Sequence, residues 1–138
     1  MSIVVGIDIG GSTTKIAAFR GEEMLVPVQI SADNPVASLF GAFGKFLYDN
    51  KLELNDIAQV NLTGVGANEI HQNIYGLPTF KVDEFSANGV GGKYFAEDRD
   101  EFMVVSMGTG TSYVKVSNGV PSHIGGIGIG GGTIMGLS

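Results

Sequence analysis

The 138-residue sequence contains no cysteine. That absence excludes a disulfide framework, a thiolate zinc site, a cysteine-held iron–sulfur cluster and a cysteine nucleophile. Basic residues are also scarce, because 8 Lys and Arg face 14 Asp and Glu, which gives a net charge of −6. No basic cluster exists, so nucleic acid is disfavoured as a partner. No apolar run approaches the roughly 20 residues of a membrane span, and no basic leader opens the sequence, so we expect a cytoplasmic protein without a membrane partner.

Glycine is what the sequence has in excess. There are 22 glycines, against 43% hydrophobic and 16% charged residues, which is a globular composition. By length alone the chain would form one domain. Seven glycines fall between Gly125 and Gly136. A packed core has little use for so many, whereas backbone that approaches a ligand closely does.

The opening stretch is built around an isolated carboxylate. Apolar runs at 3–9 and 13–19 are joined by Gly10-Gly11-Ser12-Thr13, which predicts two strands and a tight turn. Asp8 ends the first run, and burying it would cost several kcal/mol unless it is paired, hydrogen-bonded or close to a metal. The turn offers backbone N–H groups and hydroxyls, including that of Thr14, to an anion. We therefore predict a Mg²⁺ and phosphate site, the alternative being a hairpin turn that Asp8 merely caps.

The following segments predict the rest of an α/β unit. A third strand at 24–30 would complete an antiparallel meander, and Asn34-Pro35 would begin a helix with one apolar stripe. A parallel strand at 56–62 should end in the Gly-rich loop 63–68 before a short helix at 68–73. Residues 78–82 form a further short strand in this interpretation.

Asp83 and Glu84 open a predicted helix that runs to about Phe95. One interpretation is that both acids complement the helix macrodipole. The other is that Glu84, at the carboxyl end of a strand, is placed as a general base. The sequence leaves both open at this point.

Residues 102–116 repeat the opening pattern, with a Gly/Thr turn between two strands and a hairpin at Asn118-Gly119. This duplication is typical of a two-lobed protein. The second turn supplies another cradle for phosphate or hydroxyl groups. It is made by Gly108, Thr109, Gly110, Thr111 and Ser112.

A glycine-rich segment at 125–133 precedes a predicted helix that starts at Ile134. A glycine loop before a helix is an anion site by geometry and dipole. The alternative is a flexible linker, although such linkers usually carry serine and polar filler and this one carries isoleucines.

Together, these motifs resemble the actin-like ATPase superfamily and, more narrowly, type II pantothenate kinases. The matching stretches, in order, are residues 6–16, Leu62-Thr63-Gly64, Glu84-Phe85, residues 108–112 and residues 130–133. The resemblance implies an α/β fold of the ribonuclease H-like, actin type, with a mixed sheet that contains an antiparallel meander. It implies a first lobe at 1–99 and an incomplete second lobe at 100–138.

The resemblance also implies ATP-dependent phosphorylation of pantothenate to 4'-phosphopantothenate, the first step of coenzyme A biosynthesis, by a protein that is a homodimer at full length. Glu84 would be the catalytic base, and Asp8 would hold Mg²⁺ through water. Substrate would contact Glu84, Thr109, Thr111, Ser112 and His123. ATP would contact Asp8, Gly10, Gly11, Ser12, Thr13, Lys15, Gly108, Thr109, Gly110, Gly130, Gly131, Gly132 and Thr133.

One position departs from the family pattern. His123 stands where the family usually has arginine at the pantothenate carboxylate, and a neutral imidazole cannot form a bidentate pair with a carboxylate. The alternatives are therefore another kinase of this fold that acts on a sugar or related alcohol, and a non-catalytic nucleotide-sensing or assembly protein. Acyl-CoA dehydratase activators share a similar opening motif but hold an iron–sulfur cluster through cysteines, which this chain lacks. Because the second lobe is short, we expect these 138 residues alone to bind ATP poorly and turn over little.

Overall fold

A computed structural model describes residues 2–31 and 33–138. The chain divides into two compact units between Val82 and Asp83. The sequence-based lobe boundary lies later, between residues 99 and 100. The difference concerns one helix, Glu84–Ala96, which packs on the strands of the second unit in this structure. The lobe assignment for a complete two-lobed fold stays a prediction.

The first unit is a mixed sheet. Its two long central strands pair antiparallel from Ile3↔Arg20 to Ile9↔Thr14, as the opening motif predicts. The first strand also pairs in parallel with the fifth, which pairs in parallel with the sixth. The strand order is β3-β2-β1-β5-β6, with β4 also on β2. The strands are β1 (Ile3–Ile9), β2 (Thr13–Arg20), β3 (Glu23–Met24), β4 (Val28–Ser31), β5 (Ile57–Thr63) and β6 (Thr79–Lys81).

One helix, α1 (Pro35–Asp49), covers one face of this sheet. Asn34 caps it, because its Oδ1 accepts a hydrogen bond from Ala37 N at 2.9 Å, and Pro35 occupies the first turn as predicted. The helix presents Leu39, Phe43 and Phe46, all fully buried, to the inward-facing residues of the strands. Strand β1 alternates buried and exposed residues, so its odd-numbered residues enter the core and Asp8 lies on the opposite face.

Two predicted elements differ in the first unit. The expected strand at 24–30 is interrupted, because Pro27 has no N–H for the ladder and the main chain of Val26 bonds instead to the Asn50 side chain at 3.0 Å. The expected helix at 68–73 is absent from the described chain. The 3₁₀ turn Val65–Glu69 overlaps only its first two residues, because Ile70 is extended (φ −94°, ψ 114°) and ends that turn. Residues 70–73 are irregular, and a second 3₁₀ turn follows at Ile74–Gly76.

The second unit is an antiparallel three-stranded sheet with helices. Strands β7 (Glu101–Met107), β8 (Thr111–Ser117) and β9 (Val120–Ile127) pair in that order. Helix α2 (Glu84–Ala96) packs closely on them because it turns glycines to the sheet. A Cβ on Gly89 would overlap Pro121 Cβ, and one on Gly92 would overlap Val104 Cγ2.

The glycine-rich segment is partly strand. Gly125, Gly126 and Ile127 belong to β9 and pair with β8, so the predicted loop begins only at residue 128. A short helix, α3 (Gly131–Leu137), follows. Among the described residues, each helix is too short or too polar to cross a membrane.

Candidate functional site

Asp8 lies at the carboxyl end of β1 and has a cationic partner. Its Oδ2 is 3.2 Å from Lys15 Nζ, and the two residues face each other across the β1–β2 ladder. The side chains of Asp8 and Lys15 remain 36% and 48% exposed. Asp8 therefore avoids the cost of burial, because the pleat of β1 turns its side chain away from the core. A half-exposed carboxylate is accessible to a hydrated cation without the full desolvation cost.

The end of β5 lies directly beside Asp8. Gly64 has φ +88°, and a Cβ there would lie 2.5 Å from both Asp8 Oδ1 and Ile9 O. Only glycine allows this approach of backbone to carboxylate. Its neighbour Thr63 pairs with Asp8 in register, and the buried Thr63 Oγ1 has no hydrogen-bond partner within residues 2–31 and 33–138.

These features fit a hydrated Mg²⁺ with a phosphate group. The cation suits the carboxylate of Asp8, and the unpartnered hydroxyl of Thr63 suits a metal-bound water or a phosphate oxygen. The sequence places Thr63 in a matching motif, Leu62-Thr63-Gly64, but does not assign it a role. The signal that could have found it is its position at the carboxyl end of the strand parallel to β1.

The first Gly/Thr turn is a true tight turn with an open tip. Gly10 N donates to Thr13 O at 2.9 Å, while Gly11 and Ser12 are exposed. Thr14 does not join them. It is fully buried, and its hydroxyl bonds to Ser38 Oγ at 2.8 Å, so its predicted role as a phosphate donor is wrong. The register places Thr14 opposite Ile9, on the core face.

A cavity of about 300 Å³ adjoins the α1 side of this turn. Two carboxylates line it, and like charges disfavour a phosphate there. The lining residues are Gly10, Gly11, Asp33, Pro35, Val65, Gly66 and Glu69.

In the second unit, the structure brings the second Gly/Thr turn and the glycine loop together. Gly131 N donates to Gly108 O at 2.7 Å, and Gly132 N donates to Thr109 O at 3.2 Å. A Cβ on Gly130 would lie 2.7 Å from the backbone of Gly110, so the contact depends on glycine. The sequence predicts both segments as ligand sites but not their contact with each other.

That contact changes what the loop can offer to an anion. The amides of Gly131 and Gly132 already bond to carbonyls, and Gly130 N donates to Thr133 Oγ1 at 3.3 Å. An anion would have to displace these bonds. The predicted phosphate cradle at residues 130–133 is therefore not preformed in this structure, and the loop instead supports the second turn.

The three hydroxyl residues of the second turn lie in different surroundings. Thr111 Oγ1 donates to Ile129 O at 2.7 Å and so anchors the glycine loop. Ser112 shares a sheet face with Val114, which pairs with His123 in β9. Thr109 receives the bond from Gly132 through its carbonyl oxygen. Of the three, Ser112 is on the sheet face that carries His123.

The start of α2 separates the roles of two acids. Asp83 is the helix cap, because its Oδ2 accepts from Ser86 N at 2.9 Å. Glu84 is exposed in the first turn, so its carboxylate also complements the macrodipole. The next residue, Phe85, stacks on His123 with ring centroids 3.8 Å apart and planes 16° from parallel. The candidate base Glu84 is therefore next in sequence to Phe85, whose ring stacks on His123.

Two further residues of α2 have surroundings that the sequence does not reveal. Phe85 belongs to a matching stretch, but its contact with His123 could not be found from the sequence, because the two residues are 38 positions apart. Asn88 lies one helical turn after Glu84, and its buried Nδ2 has no partner in the described part of the chain. The four-residue spacing, which puts both side chains on one helix face, was the available signal.

Solved structures identify the fold. Component A of the (R)-2-hydroxyglutaryl-CoA dehydratase of Acidaminococcus fermentans matches with a TM-score of 0.74 at 19% identity, over 87% of this chain and 45% of that one. A ROK family glucokinase of Streptomyces griseus, solved with glucose and AMPPNP, matches with a TM-score of 0.65 at 13% identity, over 91% and 47%. The chain therefore has part of the fold of actin-like ATPases and ROK sugar kinases, as its motifs predict.

Sequence comparison narrows the similarity. The type II pantothenate kinase of Bacillus cereus strain G9842 is 31% identical over 150 residues, which cover all of this chain and 49% of that protein. The predicted resemblance to type II pantothenate kinases is confirmed. The chain spans about half the length of the curated relatives it matches. No family model matches it.

Proposed function

We propose that this chain carries part of the machinery of a kinase that transfers the γ-phosphoryl group of ATP to the hydroxyl of pantothenate, the first step of coenzyme A biosynthesis. The observation that supports it most is the match, over all of this chain and about half of the relatives, to proteins named type II pantothenate kinase. Glu84 is exposed and precedes Phe85, whose ring stacks on His123, so an acid and an imidazole are available in the second unit.

In this proposal Glu84 accepts the proton of the acceptor hydroxyl as that oxygen attacks the γ-phosphorus of ATP in line. ADP leaves, and the phosphate ester remains on the acceptor. Lys15 and the Gly10–Thr13 turn bind phosphate oxygens on the exposed face of β1 and β2. Asp8, with Thr63, would hold a hydrated Mg²⁺, which would supply charge neutralisation on the phosphates.

The acceptor side would be formed by Ser112, Thr109, Thr111 and His123. His123 would take the place at which the family usually presents arginine to the pantothenate carboxylate. A protonated imidazole can make a charged hydrogen bond there but not a bidentate one. This difference is why acceptor identity needs a direct test.

The test is ATP-to-ADP turnover by the protein at its full encoded length, with and without pantothenate. The Glu84→Gln variant should lose about 10² to 10⁴ in kcat, because it removes the base but keeps the side chain's size. Glu97→Gln is the matched control, since Glu97 is an exposed glutamate that caps the other end of α2. Pantothenate turnover that survives Glu84→Gln undiminished would remove Glu84 from the mechanism.

A second candidate function is supported by His123 itself. A neutral imidazole suits the hydroxyls of a sugar better than a carboxylate, and the glucokinase of S. griseus shares the fold. A panel of sugars should therefore be assayed beside pantothenate. Turnover with a sugar but not with pantothenate would show that the acceptor is a sugar. ATP binding without any acceptor-dependent turnover would favour a nucleotide-sensing protein instead.

A further inference from the structure

The Phe85–His123 stack is a side-chain contact between α2 and β9 in the second unit. Three local features build it. Asp83 fixes the first turn of α2, in which Phe85 lies. The glycines at 89 and 92 let the helix approach the sheet. A bulge between Tyr113 and Val114 shifts the β8–β9 register, which pairs His123 with the buried Val114 on the face that α2 covers.

The stack fixes how His123 can be used. At a centroid distance of 3.8 Å, Phe85 covers one face of the imidazole, so ligands reach the ring through its nitrogen-bearing edge. Nε2 lies 3.8 Å from the Cβ position of Gly126, where there is no side chain to obstruct it. His123 as a residue is nevertheless exposed. A stack at an exposed histidine orients a polar ring rather than filling a core.

We propose that Phe85 is a positioning residue, which acts through His123 to present the imidazole edge to the acceptor beside Glu84. This inference rests on the proposed function, since it names the partner of the same acceptor site. Without Phe85, His123 would rotate about its side-chain bonds and would have to be ordered again on each binding event. Weaker acceptor binding should follow, with ATP binding and the chemical step little changed.

The first test is the stack itself, by NMR of the imidazole protons in the full-length protein. The chain has two histidines, so His71→Gln and His123→Gln variants assign the signals from these residues. Protons over the face of Phe85 should be shifted upfield by its ring current. Phe85→Leu should abolish that shift, because leucine keeps the apolar contact but has no ring. Phe95→Leu is the matched control: Phe95 is an exposed phenylalanine on the same helix, in ring contact with Tyr94.

The second test is kinetic. Phe85→Leu should raise the acceptor KM roughly two- to tenfold, while the ATP KM and kcat stay near wild type. Phe85→Tyr, which keeps a stacking ring, should restore the acceptor KM. In the His123→Ala background Phe85→Leu should have no further effect, because its effect passes through His123.

The outcomes separate this inference from the proposed function. Two results would overturn the positioning role alone, in a wild-type protein that turns over normally. One is that Phe85→Leu and His123→Ala raise the acceptor KM by independent factors. The other is that the His123 signal of the wild type shows no ring-current shift. A fall in kcat rather than a rise in acceptor KM also overturns it, since that result would place the effect on Glu84. A wild-type protein that phosphorylates no alcohol overturns the proposed function and the positioning role with it.

Discussion

The two units share a supersecondary pattern but differ in how much of it is buried. In the first unit, the strand–turn–strand motif packs under α1 and forms a continuous core of fully or nearly fully buried residues. In the second, the described buried apolar residues are Val114 and Val116. Met103, Val105 and Met107 on its outer sheet face are exposed. The same motif thus contributes to a large apolar core in the first unit and to a much smaller one in the second.

The turns differ in a related way. The first turn has an exposed tip at Gly11-Ser12, and the strand that follows it is joined to α1 by the buried Thr14–Ser38 hydrogen bond. The second turn accepts hydrogen bonds from Gly131 and Gly132 and is supported by the glycine loop. The comparison teaches that the glycine loop, rather than the second turn, has its amides occupied, because Gly131 N and Gly132 N donate to carbonyls of that turn. A glycine-rich sequence therefore does not by itself specify free amides.

Truncating the first core should have the largest effect on stability. Phe43→Ala removes a fully buried ring between α1 and the sheet and should cost about 3–5 kcal/mol. Met107→Ala removes a side chain that is 78% exposed and should change stability by about 0.5 kcal/mol or less. Urea unfolding with native-state hydrogen exchange would assign each effect to its unit. Equal losses in the two variants would mean that the second sheet face is buried in solution.

A smaller effect should distinguish two glycines with similar backbone conformations. Gly64 and Gly119 have φ of +88° and +77°, but only Gly64 is crowded, since a Cβ on Gly119 would meet nothing within 4 Å. Gly119→Ala should cost about 1 kcal/mol from backbone strain alone. Gly64→Ala should cost about 2–4 kcal/mol, because strain adds to the clash with Ile9 O and Asp8.

Thermal unfolding measures both glycine variants, and ATP titration measures the consequence for the site. Gly64→Ala should weaken ATP binding by displacing Asp8, whereas Gly119→Ala should not. If the two variants lose the same stability, the close approach of Gly64 to Asp8 is wrong.

The sequence could predict what depends on neighbouring residues. The strand pair β1–β2, the Asn34 and Asp83 positions at helix starts, and the Asn118-Gly119 hairpin follow from local chemistry, and the structure contains each of them. What it could not give depends on contacts between distant segments. The burial of Thr14 against Ser38, the approach of Gly64 to Asp8 and the Phe85–His123 stack each require the register or packing of separate elements.

Helix capping should give a similar, smaller effect in both units. Asn34→Ala and Asp83→Ala each remove a side chain that accepts one N-terminal amide hydrogen bond, at about 1 kcal/mol apiece. Because α1 is anchored by its buried phenylalanines, loss of its cap should loosen only its first turn. Loss of the α2 cap should also reduce the ring-current shift of His123. Asp83→Asn, which can still cap, is the control, and hydrogen exchange at residues 84–87 is the measurement.

The smallest stability effect is expected at Lys15, and it separates structural from functional charge. Two ion pairs lie on the surface of the first unit, Lys15–Asp8 at 3.2 Å and Lys45–Asp49 at 2.6 Å. Lys15→Met and Lys45→Met should therefore each lower the free energy of unfolding by about 1 kcal/mol or less, and by less still at high salt. ATP affinity should divide the two variants, because only Lys15 lies on the face with Asp8 and the first turn. Isothermal titration with ATP and Mg²⁺ on the full-length protein makes the comparison. Equal ATP affinity in both variants would reduce Lys15 to a counter-charge for Asp8 and would leave the phosphate without a cation from the first unit.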